Sequence, residues 1–365
     1  MKIKEIAQSL ETFAPVSLQE SYDNAGLIVG NSETDCKGII ISLDVTESVV
    51  EEAAKKNCNL IVVHHPVIFK GIKKLNGKNY VERTIISAIK NDIAIYAIHT
   101  NLDNVVEGVN KMIADQLNLQ NCKVLLPKEK TLQKLVTFCP VNNAEEVRNA
   151  LFNAGAGAIG KYDECSFNVE GTGTFRAGKG SHPFVGNKGE RHLENETRIE
   201  VIFPSFLQKK IIAALKEAHP YEEVAYYLHE LQNLQDDTGS GLIGEPAESL
   251  SEKELLKKLK SSFNLSVIKH TAFLEKPVTK IAVCGGAGIF LLPNAIAAGA
   301  QVYITSDIKY HEFFDADDQI LLCDIGHYES EQFTIEIFEE VFKKKIRNFA
   351  ILLSKENTNP VNYFY

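Results

Sequence analysis

A chain of 365 residues is long for one domain, and its 44% hydrophobic and 24% charged side chains suit an ordinary soluble protein with sizeable cores. No stretch approaches the roughly 18 uninterrupted apolar residues of a membrane span, and MKIKEIAQSLETF carries Glu5 and Glu11 where a signal peptide needs an apolar centre. A net charge of -9, from 48 acidic and 39 basic side chains, repels phosphate backbones and makes nucleic acid an unfavourable partner.

The seven cysteines are scattered singly with no CxxC pair, so neither a zinc ribbon nor a disulfide framework is indicated. They read as reduced, mostly buried thiols of a cytoplasmic protein.

In chain order, MKIKEIAQSLETF reads as an amphipathic helix. GIIISLDV (38–45) reads as a strand, TESVVEEAAKKN as a helix starting at Thr46, NLIVVHH as a strand and VERTIISAIKND as a helix. IAIYAIHTNLD follows as a strand and VVEGVNKMIADQL as a helix. Strands alternating with helices of this length predict a mostly parallel sheet.

From residue 129 to 236 the order changes. TLQKLVTFCP, CSFNVEGTGTF, ETRIEVIFP and EEVAYYLHEL read as strands, AEEVRNALFNAG and FLQKKIIAALKEA as helices. This is the β-α-β-β-α-β order of a ferredoxin-like domain, bounded by the polar stretches LPKEKT and NLQDDTGSG. Its loop GTGTFRAGKGSHPFVGNKGE has six glycines without P-loop spacing, so a flexible hairpin is expected.

The α/β rhythm then returns. KIAVCGGAG is a strand entering a glycine turn, followed by the helix FLLPNAIAAG, the strand QVYITSD, a short helix from Ile308, the strand QILLCDIGH, the helix FTIEIFEEVFKKK and the strand FAILLS. The expected fold is α/β: two halves, 1–128 and 237–365, forming one metal-binding core, with an inserted ferredoxin-like α+β domain at 129–236.

Polar residues collect at strand ends. His64 and His65 follow LIVV, His99 and Asp103 follow IAIYAI, and Asp324 and His327 follow ILLC. Parallel strands end on one edge, where such sheets bind ligands, so these groups can converge. If a helix starts near Gly326, His327 and Glu331 are four apart on one face. Pro66 turns the chain after His65, so the two adjacent rings need not point to opposite faces.

His64, His65, Asp103, His327 and Glu331 then offer three imidazoles and two carboxylates, a set suited to zinc first, with iron, manganese or nickel as alternatives. Five ligands exceed one tetrahedral site, and a bridging Glu331 or water would give two metals about 3.5–4 Å apart, as in two-metal hydrolases. A single histidine at a strand end is more often just hydrogen-bonded, and an i,i+4 His/Glu pair is commonly a helix-surface contact. It is the coincidence of several strand ends that favours the metal.

His99 and His311 are proton-transfer candidates. Asp44 and Asp307 are equally readable as partners behind the ligands or as caps of the following helices. CGGAG lacks the dinucleotide fingerprint and reads as a tight strand-to-helix turn, with substrate phosphate a lesser option.

Taken in order, SYDNAGLIVG, SLDVT, HHPVIF, HTNLD, CGGAG, YITSDIKYH and DIGHYESE resemble the GTP cyclohydrolase I type 2 homologue family, also called NIF-three-like. The middle segment, with GTGTFRAG and HPYEEVAYYL, looks like the inserted domain of its longer bacterial members, which is similar to the small trimeric signalling-protein fold. The resemblance implies a two-metal site on the same five residues and a homohexameric toroid with those sites facing an internal cavity. It also implies a hydrolase of the GTP ring-opening kind, acting on a nucleotide or related phosphorylated heterocycle. A metal-binding regulatory or scaffold ring is the alternative. Two departures stand out: Tyr22 where the family usually has tryptophan, and Ser306 where TGD is usual.

Overall fold

The computed structural model describes residues 1–346 and 349–364. The first stretch gives α1 (Ile3–Phe13), β1 (Gly26–Val29), β2 (Ile39–Ser42), α2 (Glu47–Lys55), β3 (Leu60–Val63), α3 (Tyr80–Lys90), β4 (Ala94–Ala97), α4 (Thr100–Asp103), α5 (Val109–Gln116) and β5 (Leu119–Pro127). The middle gives β6 (Leu132–Pro140), α6 (Ala144–Ala154), β7 (Phe167–Arg176), β8 (Arg191–Pro204), α7 (Gln208–Ala218) and β9 (Tyr226–Glu230). The last gives β10 (Gly239–Pro246), α8 (Glu252–Ser262), β11 (Lys269–His270), β12 (Ile281–Val283), α9 (Leu292–Ala297), β13 (Val302–Thr305), β14 (Leu321–Asp324), α10 (His327–Glu331), α11 (Thr334–Lys345) and β15 (Ile351–Leu353). No described helix is long and apolar enough to cross a membrane.

The chain is mixed α/β with three sheets, and it divides into two units: Met1–Pro127 with the chain from Asp236 onward, and Lys128–Gln235. In the larger unit, β2, β3 and β4 are buried at every residue, which requires apolar cover on both faces. Alternation supplies two cores from one run: Ile39, Ile41, Leu60 and Val62 enter one, while Ile40, Ile61 and Val63 enter the other against α2 and α3. Those helices start at side-chain caps, Thr46 accepting from Val49 N and Asn79 from Glu82 N.

The parallel strands fall into two sheets. One has the order β1-β4-β3-β2-β15, parallel except for the antiparallel edge strand β1, and the other β11-β14-β13-β12-β10-β5, parallel at its centre with antiparallel strands outside. Residues of both sheets share one apolar cluster with α1, α5, α8 and α11. The site residues therefore gather from strand ends of two sheets packed through a common core, and not along one edge as the sequence suggests. Phe338 of α11 lies in that core at 1% exposure. Phe338→Ala should cost about 3–5 kcal/mol, measured by chemical denaturation.

One expected element is corrected. IAIYAIHTNLD is not a strand throughout: β4 stops at Ala97 and Thr100–Asp103 form a helical turn. The Asn101 side chain accepts from His99 N at 2.9 Å, the local bond by which Asn diverts a backbone from a ladder. The short helix expected from Ile308 is a 3-10 segment, Tyr310–Ala316.

The smaller unit has a fully antiparallel sheet of order β7-β8-β6-β9. Apolar residues of α6 and α7, among them Val147, Leu151, Ile211 and Leu215, pack on Leu135, Ile199, Val201 and Phe203 of that sheet. β7 and β8 pair along the whole of β7, so the glycine-rich segment between them closes a long hairpin.

Candidate metal centre

β3 and β4 are parallel neighbours that end side by side. Past Val63, the N–H groups of His64 and His65 both donate to Leu43 O, at 3.1 and 3.0 Å, before Pro66. This shared anchor brings the adjacent rings to 4.8 Å between centroids.

Four imidazoles are oriented alike. His64 Nδ1 donates to Ile98 O at 2.9 Å; His65, His327 and His99 place Nδ1 at 2.8, 2.8 and 2.7 Å from carboxylate oxygens of Asp44, Asp307 and Asp23. An acceptor at Nδ1 fixes the proton there and leaves Nε2 as the free donor, the arrangement seen behind metal-ligating histidines. Asp44 and Asp307 thus stand behind His65 and His327, and the helix after Asp44 is capped by Thr46 instead.

The Nε2 atoms meet two carboxylates. Glu331 Oε2 lies 3.0 Å from His65 Nε2 and 3.2 Å from His327 Nε2, and those two nitrogens are 3.3 Å apart. Donors held about 2.0–2.1 Å from a tetrahedral zinc stand about 3.3–3.4 Å from one another. The triangle therefore has the edges of a shared coordination sphere. On the other side, His64 Nε2 is 3.6 Å from Asp103 Oδ1 and 3.9 Å from Glu331 Oε1. Each Glu331 oxygen faces a different set of donors.

His64 Nε2, Asp103 Oδ1 and Glu331 Oε2 are buried and meet hydrogen-bond geometry to no described residue. One such atom costs about 1–3 kcal/mol, more if charged. Three at one point are what a cation would satisfy, and the nitrogen and oxygen donors fit a divalent metal.

Protonation follows the same geometry. Burial opposes charge on Glu331, but His327 and His65 outweigh it and hold the carboxyl well below its usual range. Burial and the Glu331 charge push Asp103 well above its own. Burial keeps His64 neutral, down to about 3. Burial also lowers His65 and His327, yet Glu331 with Asp44 or Asp307 lifts them to about 9 and about 11.

An incoming ion must displace the protons of His65 and His327. Uptake should therefore release protons at pH 7, and affinity should rise with pH through the His65 value of about 9. Calorimetry in buffers of differing ionisation enthalpy measures that release; pH-independent uptake would contradict it.

Apart from the fully buried His64, the cluster lines a cavity of about 610 Å³. His99 is on its wall beside His65, and the ligand atoms of His64, His65 and His99 lie within 4.8 Å of one another. His311 does not: it is exposed on the 3-10 segment, stacked on Phe314 at 6.3 Å, and is not among the residues of the cavity wall. Tyr22 is on that wall. Ser306, fully buried, donates to Gly286 O at 2.6 Å, and Asp307 beside it takes φ +56° and still reaches His327.

Sequence reasoning missed four residues. Asp23 accepts from His99 Nδ1 and from Thr100 N at 3.0 Å. Thr358 donates to Asp44 at 2.7 Å, and Asn359 and Tyr363 donate to Glu329 at 3.1 Å each. The C-terminal segment thus borders the cavity and braces the aspartate behind His65. By residue type and spacing alone, DN in SYDNAG and TNPVNY read only as polar loop.

Fold and cluster together define an α/β protein equipped with histidine and glutamate groups that could bind a metal. The family model described as Duf34/NIF3 (NGG1p interacting factor 3) matches residues 1–360, and the chain belongs to this family. A GTP cyclohydrolase 1 type 2 homolog of Halalkalibacterium halodurans is 37% identical over 98% of this chain and 98% of its own length. One of Bacillus subtilis is 35% identical over 99% and 98%. The crystal structure of a Bacillus cereus protein related to NIF3 is similar with a TM-score of 0.87 at 37% identity, covering 100% of this chain and 99% of that one.

Proposed function

We propose that His64, His65, Asp103, His327 and Glu331 hold two divalent ions, zinc first and iron, manganese or nickel as alternatives, with Glu331 between them. On this reading the protein is a metal-dependent hydrolase acting on a nucleotide or related heterocycle. The observation that carries it is the set of Nε2 atoms turned inward by acceptors at Nδ1, around buried carboxylate oxygens that lack partners. The ions would supply Lewis acidity and an activated water, the chemistry that opening a purine ring needs. His99, aligned by Asp23, is the group to hold and pass a proton at Nε2, and His311 drops behind it because it lies off the cavity wall.

The name of the relatives supports a guanine-nucleotide class of substrate. The family resemblance supports a homohexameric, cytoplasmic ring, which native mass measurement tests. The strand order β7-β8-β6-β9 supports a ferredoxin-like insertion at 129–236 between the two halves.

The test is to strip the protein with chelator, reload it and follow GTP and a nucleotide and nucleoside panel by chromatography. Turnover only after reloading is expected; none in either form would remove the hydrolase. A second reading, a metal-binding regulatory ring, is favoured by the middle unit's own cavity of about 650 Å³, walled by Phe138, Phe175, Tyr221 and Tyr227, a site for an effector.

A further inference from the structure

The metal-centre cavity is aromatic at its rim. Tyr22, Phe290 and Phe69 line it while 73%, 57% and 54% exposed. Phe69 sets its ring edge-on to His99 at 5.7 Å between centroids. Large rings grouped in water around a concave site are what a planar ligand would cover.

The wall is acidic. Seven carboxylates line it: Asp103 and Glu331 in the cluster, Asp44 and Asp307 behind the histidines, and Glu20, Asp324 and Glu329 beyond. Lys269 is the one lysine or arginine among the described lining residues, and its Nζ is bound to Asp324 at 2.7 Å. Two divalent ions and Lys269 together leave this wall net negative.

The CGGAG turn offers little to an anion. Gly285 N donates to Asn110 at 3.0 Å, Gly286 N to Ser330 at 3.1 Å and Gly288 N to Thr305 at 2.9 Å, so these amides are spent inside the fold. Phosphate sites are built from free amides or from arginine and lysine.

We infer that this cavity selects a planar nitrogen heterocycle without a phosphate, a nucleobase or nucleoside in class, over its phosphate ester. The ring stacks among Tyr22, Phe69 and Phe290, and its N–H groups donate to the carboxylate wall. A 5′-phosphate brings a charge of about −1.5 to −2 into that field. The inference rests on the cluster being a metal centre that opens on a substrate cavity, and it narrows the substrate from nucleotide to nucleoside.

The experiment titrates guanosine, adenosine and their 5′-monophosphates calorimetrically into the zinc-loaded full chain at fixed free zinc. Each nucleoside should bind about tenfold tighter than its monophosphate, and Phe69→Ala or Tyr22→Ala should weaken the nucleoside by about tenfold through lost stacking. Glu329→Gln, which keeps an acceptor for Asn359 and Tyr363, should narrow the gap by strengthening the monophosphate. Monophosphate binding as tight as the nucleoside, or no nucleoside binding up to its solubility, overturns the inference. Chromatography of the same mixtures reads turnover separately. Selective binding without metal-dependent turnover removes the hydrolase and keeps the selectivity; turnover that prefers the phosphate esters does the reverse.

Discussion

Replacing Glu331 by glutamine should strip the proposed two-ion centre of at least one ion and weaken the other by about a hundredfold or more, beyond what loss of an outer partner costs. The carboxylate is 3% exposed and its two oxygens face different donors, His65 and His327 on one side and His64 on the other. An amide keeps the shape and one acceptor, but its nitrogen cannot donate a lone pair to a cation. Metal analysis after dialysis at fixed free zinc, with circular dichroism to verify the fold, measures the loss. Asp44→Asn provides the graded companion. It leaves every ligand in place and disturbs the carboxylate behind them, the acceptor of His65 Nδ1 and of the Thr358 hydroxyl, so the expected loss is about 10–100-fold. Two equivalents bound by Glu331→Gln with unchanged affinity would refute the assignment.

Why five residues from three distant segments could be read from sequence, while their supports could not, is a matter of what leaves a local trace. LIVV and ILLC are unbroken apolar runs, and a histidine or aspartate just past such a run is conspicuous. His327 and Glu331 add the i,i+4 spacing, which α10 realises. Asp23 and Thr358 have no such context: the first meets a partner 76 residues away and the second one 314 away, from segments without periodicity. Only packing of the whole unit joins them.

The same logic explains the unread elements. β10 spends Gly239, Gly241 and Gly244 where backbone approaches backbone, so it reads as a turn although it pairs with both β5 and β12. In α8 the signal was present: Ser251 and Glu254 form a capping box. The two-sheet arrangement was beyond sequence reach because a buried strand shows its neighbours only as apolar surface.

Gly286→Ala should disable the centre without altering a ligand. Gly286 sits at φ +59°, where a side chain costs about 1–2 kcal/mol. The larger consequence is positional: an added Cβ would stand 2.5 Å from Glu331 Oε1 and 3.3 Å from His327 Cε1. Glu331 cannot yield cheaply, because its other oxygen is packed 3.0 and 3.2 Å from His65 and His327 Nε2. Either the carboxylate rotates out of line with its donors or the CGGAG turn shifts, and Ser306 and Ser330 tie that turn on both sides. Metal affinity should fall about 10–100-fold, as for a displaced ligand partner. Gly299→Ala separates geometry from strain. Its φ of +77° carries a like backbone cost, but nothing lies within 4 Å of the new Cβ. Both variants should lose about 1–2 kcal/mol of stability in denaturant melts, and only Gly286→Ala should lose metal. Equal metal affinity in the two would mean that Glu331 does not need the space the glycine leaves, and the centre would then have to be held without it.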